Sequence, residues 1–136
     1  MPRSRPSLVD QLATAARVAS RELAAVLEPE LGLTLDQWRV LRRLDSADGV
    51  VMGDLVEVLA LPPATVTRLV DALVDRGLAY RVASPQDRRR VGVLVSEEGA
   101  QVAARAEALA AGCERRLLAG LPLPQRRALR HGLELV

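Results

Sequence analysis

Three residues, Ala60-Leu61-Pro62, separate two segments with apolar stripes, and this spacing constrains the fold more than any other feature of the chain. Before them, Leu55, Val58 and Leu59 give a short helix over about Gly53 to Leu59. After them, Val66, Leu69, Val70 and Leu73 recur at helical spacing from Pro63 to about Arg76, and Gly77 supplies the stop. Two helices joined by so short a turn must cross sharply. An isolated helix of about fourteen residues is marginal in water, so the stripe has to hold the second helix to a core. Its front and outer face, Pro63, Ala64, Thr65, Thr67 and Arg68, is then left free. A short helix, a tight turn and a second helix with a polar front end make a helix-turn-helix.

The hydrophobic period then changes. Leu78, Tyr80 and Val82 alternate with Ala79, Arg81 and Ala83, Ser84-Pro85-Gln86-Asp87 reads as a turn, and Val91, Val93 and Val95 alternate again. This is a short antiparallel hairpin, a wing, with Arg88, Arg89 and Arg90 near its tip. The formal net charge is only +2, but its distribution is uneven. Between Pro62 and Gly92 there are six arginines and three aspartates, giving +3 and leaving −1 for the rest. A basic third of the chain centred on a helix-turn-helix points to nucleic acid. Pro63 and Ala64 allow close approach and can meet a thymine methyl. The threonine hydroxyls suit phosphates or base edges, and Arg68 suits a phosphate or guanine O6 and N7. The helix N-terminus itself favours phosphate. An arginine on a narrow hairpin fits a minor groove.

The flanking segments are helical. A long helix from Ser7 carries Leu8, Leu12, Leu23, Val26 and Leu27, and Pro29 is expected to end it. Thr34-Leu35-Asp36-Gln37 is a capping box that opens a helix through Leu44, with Trp38, Leu41 and Leu44 inward. Ser96 caps another long helix, to about Ala119. Its stripe is Val102, Ala106, Leu109, Cys113 and Leu117, and Leu109 is expected in a dimer seam. Gly120 to Pro124 breaks this helix, and a short last helix follows. The expected fold is mainly α with a small β-hairpin wing. A single domain spans 1–136, with a winged helix-turn-helix lobe over 33–95 and dimerisation helices over 7–28 and 97–136.

The run from Leu33 to Gly99 resembles the MarR family of bacterial winged helix-turn-helix transcription regulators. The matching pieces are LTLDQWRVLRRL, DLVEVLALPPATVTRLVDALVDRGLAYR, SPQDRRR and VSEEG. The most specific is the wing's Asp-x-Arg, here Asp87-Arg88-Arg89, shortly after Gly77 to Arg81. The resemblance implies a homodimer on pseudopalindromic double-stranded DNA, with Arg89 in the minor groove and Asp87 orienting it. The expected DNA contacts are Pro63, Ala64, Thr65, Thr67, Arg68, Arg81, Asp87, Arg88, Arg89 and Arg90. The sequence departs from the family at Pro62, where a hydroxyl residue is usual, and at Val51, where Thr is common. The resemblance also implies a small aromatic acid effector, bound between the dimer arms and the lobe. Trp38 would form the wall of that pocket, and Arg17, Arg21 and Arg42 are its expected carboxylate partners. From the residues alone, the apolar stripe makes the core the leading reading for Trp38.

One cysteine and one histidine exclude a disulfide within the chain and a zinc site built from several Cys and His. Cys113 lies on an apolar stripe and reads as a small buried hydrophobe. No nucleophile-base pair, phosphate-cradling glycine loop or metal cluster is visible, so neither enzyme activity nor a cofactor is expected. Arg17, Arg21 and Glu22 interrupt the N-terminal apolar positions, and no run approaches the length of a membrane span. A cytoplasmic protein with no membrane partner is expected. The leading reading is a dimeric, sequence-specific regulator that represses and is released by a small effector. The alternative is a helical dimer that uses its winged helix to bind another protein.

Overall fold

Pro29 does not end the first helix. In the computed structural model, which describes residues 4–44, 49–83, 87 and 90–136, α1 spans Leu8–Leu31 with Pro29 inside it. Proline lacks the N–H that would bond one turn back, yet Leu27 and Leu31 are buried on either side of it and anchor the last turn. The stop comes at Gly32, which takes the left-handed conformation (φ 63°) and donates its N–H to the Glu28 carbonyl. No basic residue lies in the last turn of α1. Its exposed carbonyls are met from far along the chain. Arg76 donates from Nη2 to Leu31 O at 2.8 Å and from Nη1 to Gly32 O at 2.9 Å. A cation at a helix C-terminus is favoured by both the orphan carbonyls and the dipole.

Helix α2 spans Leu35–Arg43 and begins at the expected capping box. Gln37 N–H donates to Thr34 Oγ1, and Thr34 N–H donates to Gln37 Oε1, both at 3.1 Å. Next come a two-residue strand, β1 (Val50–Val51), and α3 (Met52–Leu59). Sequence periodicity does not reveal β1, because two residues are too few to show alternation. It pairs antiparallel with the wing, Val50 opposite Val93. Val51, the residue before α3, makes no side-chain cap. The turn out of α3 is left-handed at Ala60 (φ 53°), a conformation that costs a non-glycine residue about 1–2 kcal/mol.

Helix α4 spans Pro63–Asp75, one residue short of the expected end, and Gly77 (φ 70°) follows it. Val66, Val70 and Leu73 are fully buried. Strands β2 (Ala79–Ala83) and β3 (Val91–Val95) form the wing, and the sheet order is β1-β3-β2, antiparallel throughout. Of the alternating Leu78, Tyr80 and Val82, only Leu78 is buried. Tyr80 and Val82 are exposed, because the outer half of the hairpin extends beyond the core.

Helix α5 spans Glu97–Leu117, and α6 spans Leu123–Glu134. The Ser96 cap forms as expected, with Gly99 N–H donating to Ser96 Oγ at 2.9 Å. Ala106 and Cys113 are buried within the protomer, and Leu109 packs against the same core. Leu109, expected in the dimer seam, is half-buried against the protomer's own core. The apolar residues left uncovered lie further out. They include Leu8, Val9 and Leu12 on α1, and Leu123, Leu129 and Leu133 on α6. Among the described residues, no buried side chain is charged, so the core that fixes α4 is apolar throughout.

Candidate DNA interface and ligand cavity

The buried stripe of α4 turns its other face outward. Pro63, Ala64, Thr67 and Arg68 are exposed, and Thr65 is half-buried. Pro62, which replaces the usual hydroxyl residue, gives no side-chain cap, so the first-turn N–H groups keep no side-chain acceptor from that position. The first turn also carries no acidic residue. Together these leave a helix N-terminus open to an anion. The Thr67 hydroxyl donates to Pro63 O at 3.0 Å, and its oxygen remains an acceptor.

Arg68 does not pair with Asp71 or Asp75 on its own helix, although that spacing allows it. Among the described residues it forms no ion pair. Asp71 is taken instead by Arg81 of β2, whose Nη2 lies 2.5 Å from Asp71 Oδ1. Arg81, an expected DNA contact, thus ties the base of the wing to α4. Asp87 and Arg90 are both exposed, with Arg90 N–H donating to Asp87 O at 3.0 Å. Arg88 and Arg89 lie outside the described residues.

A second feature lies on the far side of α2. A cavity of about 250 Å³ opens between α1 and α2, lined by Ala19, Ser20, Leu23, Leu35, Trp38, Arg39, Arg42 and Arg43. Trp38 serves as both core residue and cavity wall, because it is 9% exposed and yet lines the opening. Its Nε1 is buried and has no hydrogen-bond partner among the described residues. Arg42, one turn on, places its guanidinium carbon 4.8 Å from the centre of the Trp38 ring, within cation-π range. Arg39 and Arg43 also line the cavity and were not foreseen, although both sit beside Trp38 and Arg42 on one short helix. Arg17 and Arg21 lie on the exposed face of α1 and do not line it. Arg17 instead donates to Thr14 Oγ1 at 3.1 Å. The structure thus brings Trp38 and Arg42 together and leaves Arg17 and Arg21 apart from them.

A short helix, a tight turn, a helix with an open N-terminus and a paired hairpin define a winged helix-turn-helix. Comparison with known proteins gives the family. A MarR family model matches residues 31–90. The transcriptional repressor Rv2887 of Mycobacterium tuberculosis is 33% identical over 113 residues, 83% of this chain and 81% of the relative. Its crystal structure in complex with salicylic acid has a TM-score of 0.78 at 30% identity, covering 96% of both chains. A mutant of Escherichia coli MarR in complex with operator DNA has a TM-score of 0.83 at 26% identity, covering 93% of this chain and 91% of that one. The chain belongs to the MarR family of transcriptional regulators. Among the described residues, no helix is long and apolar enough to cross a membrane.

Proposed function

We propose that the chain acts as a homodimeric, operator-binding repressor that a small aromatic carboxylic acid releases from DNA. The observation that carries this reading is the open front of α4. Pro63, Ala64, Thr67 and Arg68 are exposed, the first turn has no acid, and Arg68 is unpaired among the described residues. Each α4 enters a major groove and each wing reaches the flanking minor groove. The two half-sites of a symmetric dimer then lie about one helical turn apart. Support comes from the operator complex of the Escherichia coli relative.

The release arm rests on the cavity between α1 and α2. Its volume of about 250 Å³ exceeds the roughly 150 Å³ that holds a single aromatic ring. An indole wall and three arginines suit a flat ring bearing a carboxylate, and the Rv2887 complex with salicylic acid supports that class. A ligand that favours one arrangement of arms and lobe shifts DNA affinity by its differential binding.

Arg68→Ala is the test of the reading helix. The side chain is exposed and packs into nothing that folding needs, so circular dichroism and melting are expected to be unchanged. Operator affinity is expected to fall by about 1–3 kcal/mol in a fluorescence-anisotropy titration. Full affinity in the variant would remove Arg68, and with it this face of α4, from recognition.

A further inference from the structure

The cavity contains a cation that already has a partner. Arg42 Nε lies 2.5 Å from Glu107 Oε1, so a side chain of α2 is neutralised by α5 while its guanidinium covers Trp38. Among the described residues this is the one ion pair that joins α2 to α5. The cavity opens beside the same guanidinium, with Ser20 and Leu23 of α1 across from it. Three helices therefore meet at Arg42. Two belong to the arms, and one belongs to the lobe that carries α4.

The other cavity arginines differ from Arg42. Arg39 is 3.5 Å from Asp36 on its own helix and from the Leu59 carbonyl at the end of α3, so it is engaged within the lobe. Arg42 alone of the three is fixed both by an aromatic face and by a carboxylate from the other unit. The contact runs from Nε to one Glu107 oxygen, so the Nε side of the guanidinium is already engaged. The pair is about half exposed, with side-chain exposures of 47% for Arg42 and 48% for Glu107. Exposed pairs of this kind are weak and screened by water, so an incoming carboxylate can take the place of the resident one.

We propose that Glu107 is a built-in competitor of the effector. The ligand's carboxylate displaces Glu107 from Arg42 and so opens the ion pair between α2 and α5. This inference rests on the reading of the cavity as the effector site. It adds a residue on the opposite helix and the event that couples binding to movement.

The test uses the intact protein and sodium salicylate as the probe. Trp38 is the only tryptophan in the chain, so a single indole N–H resonance reports on the cavity wall. Salicylate is expected to shift that resonance saturably in the wild type. Glu107→Gln is expected to bind roughly two- to fivefold more tightly, the range that loss of an exposed ion pair allows. Asp36→Asn removes the same charge from beside Arg39 and leaves the Arg42–Glu107 pair intact, so it is expected to bind as the wild type does. Equal affinities in Glu107→Gln and wild type would overturn the competition and leave the cavity reading standing. Equal tightening by both variants would also overturn it, since general charge would then suffice. An indole resonance unmoved by salicylate in every protein would overturn the cavity reading and the competition together.

Discussion

Gly99→Ala is expected to destabilise the fold by about 3 kcal/mol, the upper end of the usual cost of forcing an atom into a filled site. A Cβ at Gly99 would stand 1.9 Å from the Leu78 carbonyl oxygen, and 2.8 Å from both Leu78 C and Val95 Cγ2. The first of these obstacles is backbone, which cannot rotate away as a long side chain does. Nor can α5 easily withdraw. Ser96 N–H donates to Leu78 O at 3.0 Å, and the Ser96 hydroxyl donates to Gly77 O at 2.6 Å while accepting from Gly99 N–H. The start of α5 is thus fastened to the entry of β2, and through it to the end of α4. A shift there would disturb Leu78 and Ala79, both buried. Thermal unfolding is expected about 10 °C or more below the wild type. Gly53→Ala is the control, since Gly53 is an exposed helical position and a Cβ there meets nothing within 4 Å. It is expected to stabilise by about 0.5–1 kcal/mol. If the two variants melt alike, close approach is not the reason for Gly99.

The second large effect concerns assembly. Leu129 and Leu133 are 40% and 54% exposed on α6, and they line an apolar groove with Leu118 and Leu123. Arginines 115, 126, 127 and 130 rim that groove, and Arg130 is ion-paired to Glu114 across it. An apolar floor with a polar rim is the anatomy of an interface. The double variant Leu129→Arg, Leu133→Arg leaves the protomer core untouched but places two charges in the proposed dimer contact. A charge buried without a partner costs several kcal/mol, so the dimer is expected to weaken at least about 100-fold. Sedimentation should show folded monomers at micromolar concentration. A dimer of wild-type strength would place the interface elsewhere.

Much of the lobe was legible in the sequence because its signals are local. The Thr34–Gln37 box, the Ser96 cap and the stop at Gly77 each depend on a few neighbouring residues, and the structure has all three. Trp38 and Arg42 could be paired in advance because residues four apart share a helix face. What escaped depends on distance along the chain. Pro29 reads locally as a terminator, but burial of Leu27 and Leu31 outweighs the missing N–H. The stripe of α5 puts Leu109 on an apolar face but does not say which neighbour that face meets. The reach of Arg76 to Leu31 and Gly32, and of Glu107 to Arg42, joins residues more than forty positions apart. The ion pair of Arg81 with Asp71, which braces the wing against α4, likewise links two separate elements.

Everything proposed for α4 and the wing depends on this winged helix binding DNA by sequence. The direct test is to titrate the wild-type protein against fragments it selects from its own genome, and against unrelated DNA, at 50 mM and 200 mM salt. Binding is expected to be tight, to prefer the selected fragments and to weaken on the order of 1,000-fold across that range, as neutralised phosphates release counterions. Weak binding that is equal on any DNA would contradict it. The exposed face of α4 would then be a surface for another protein.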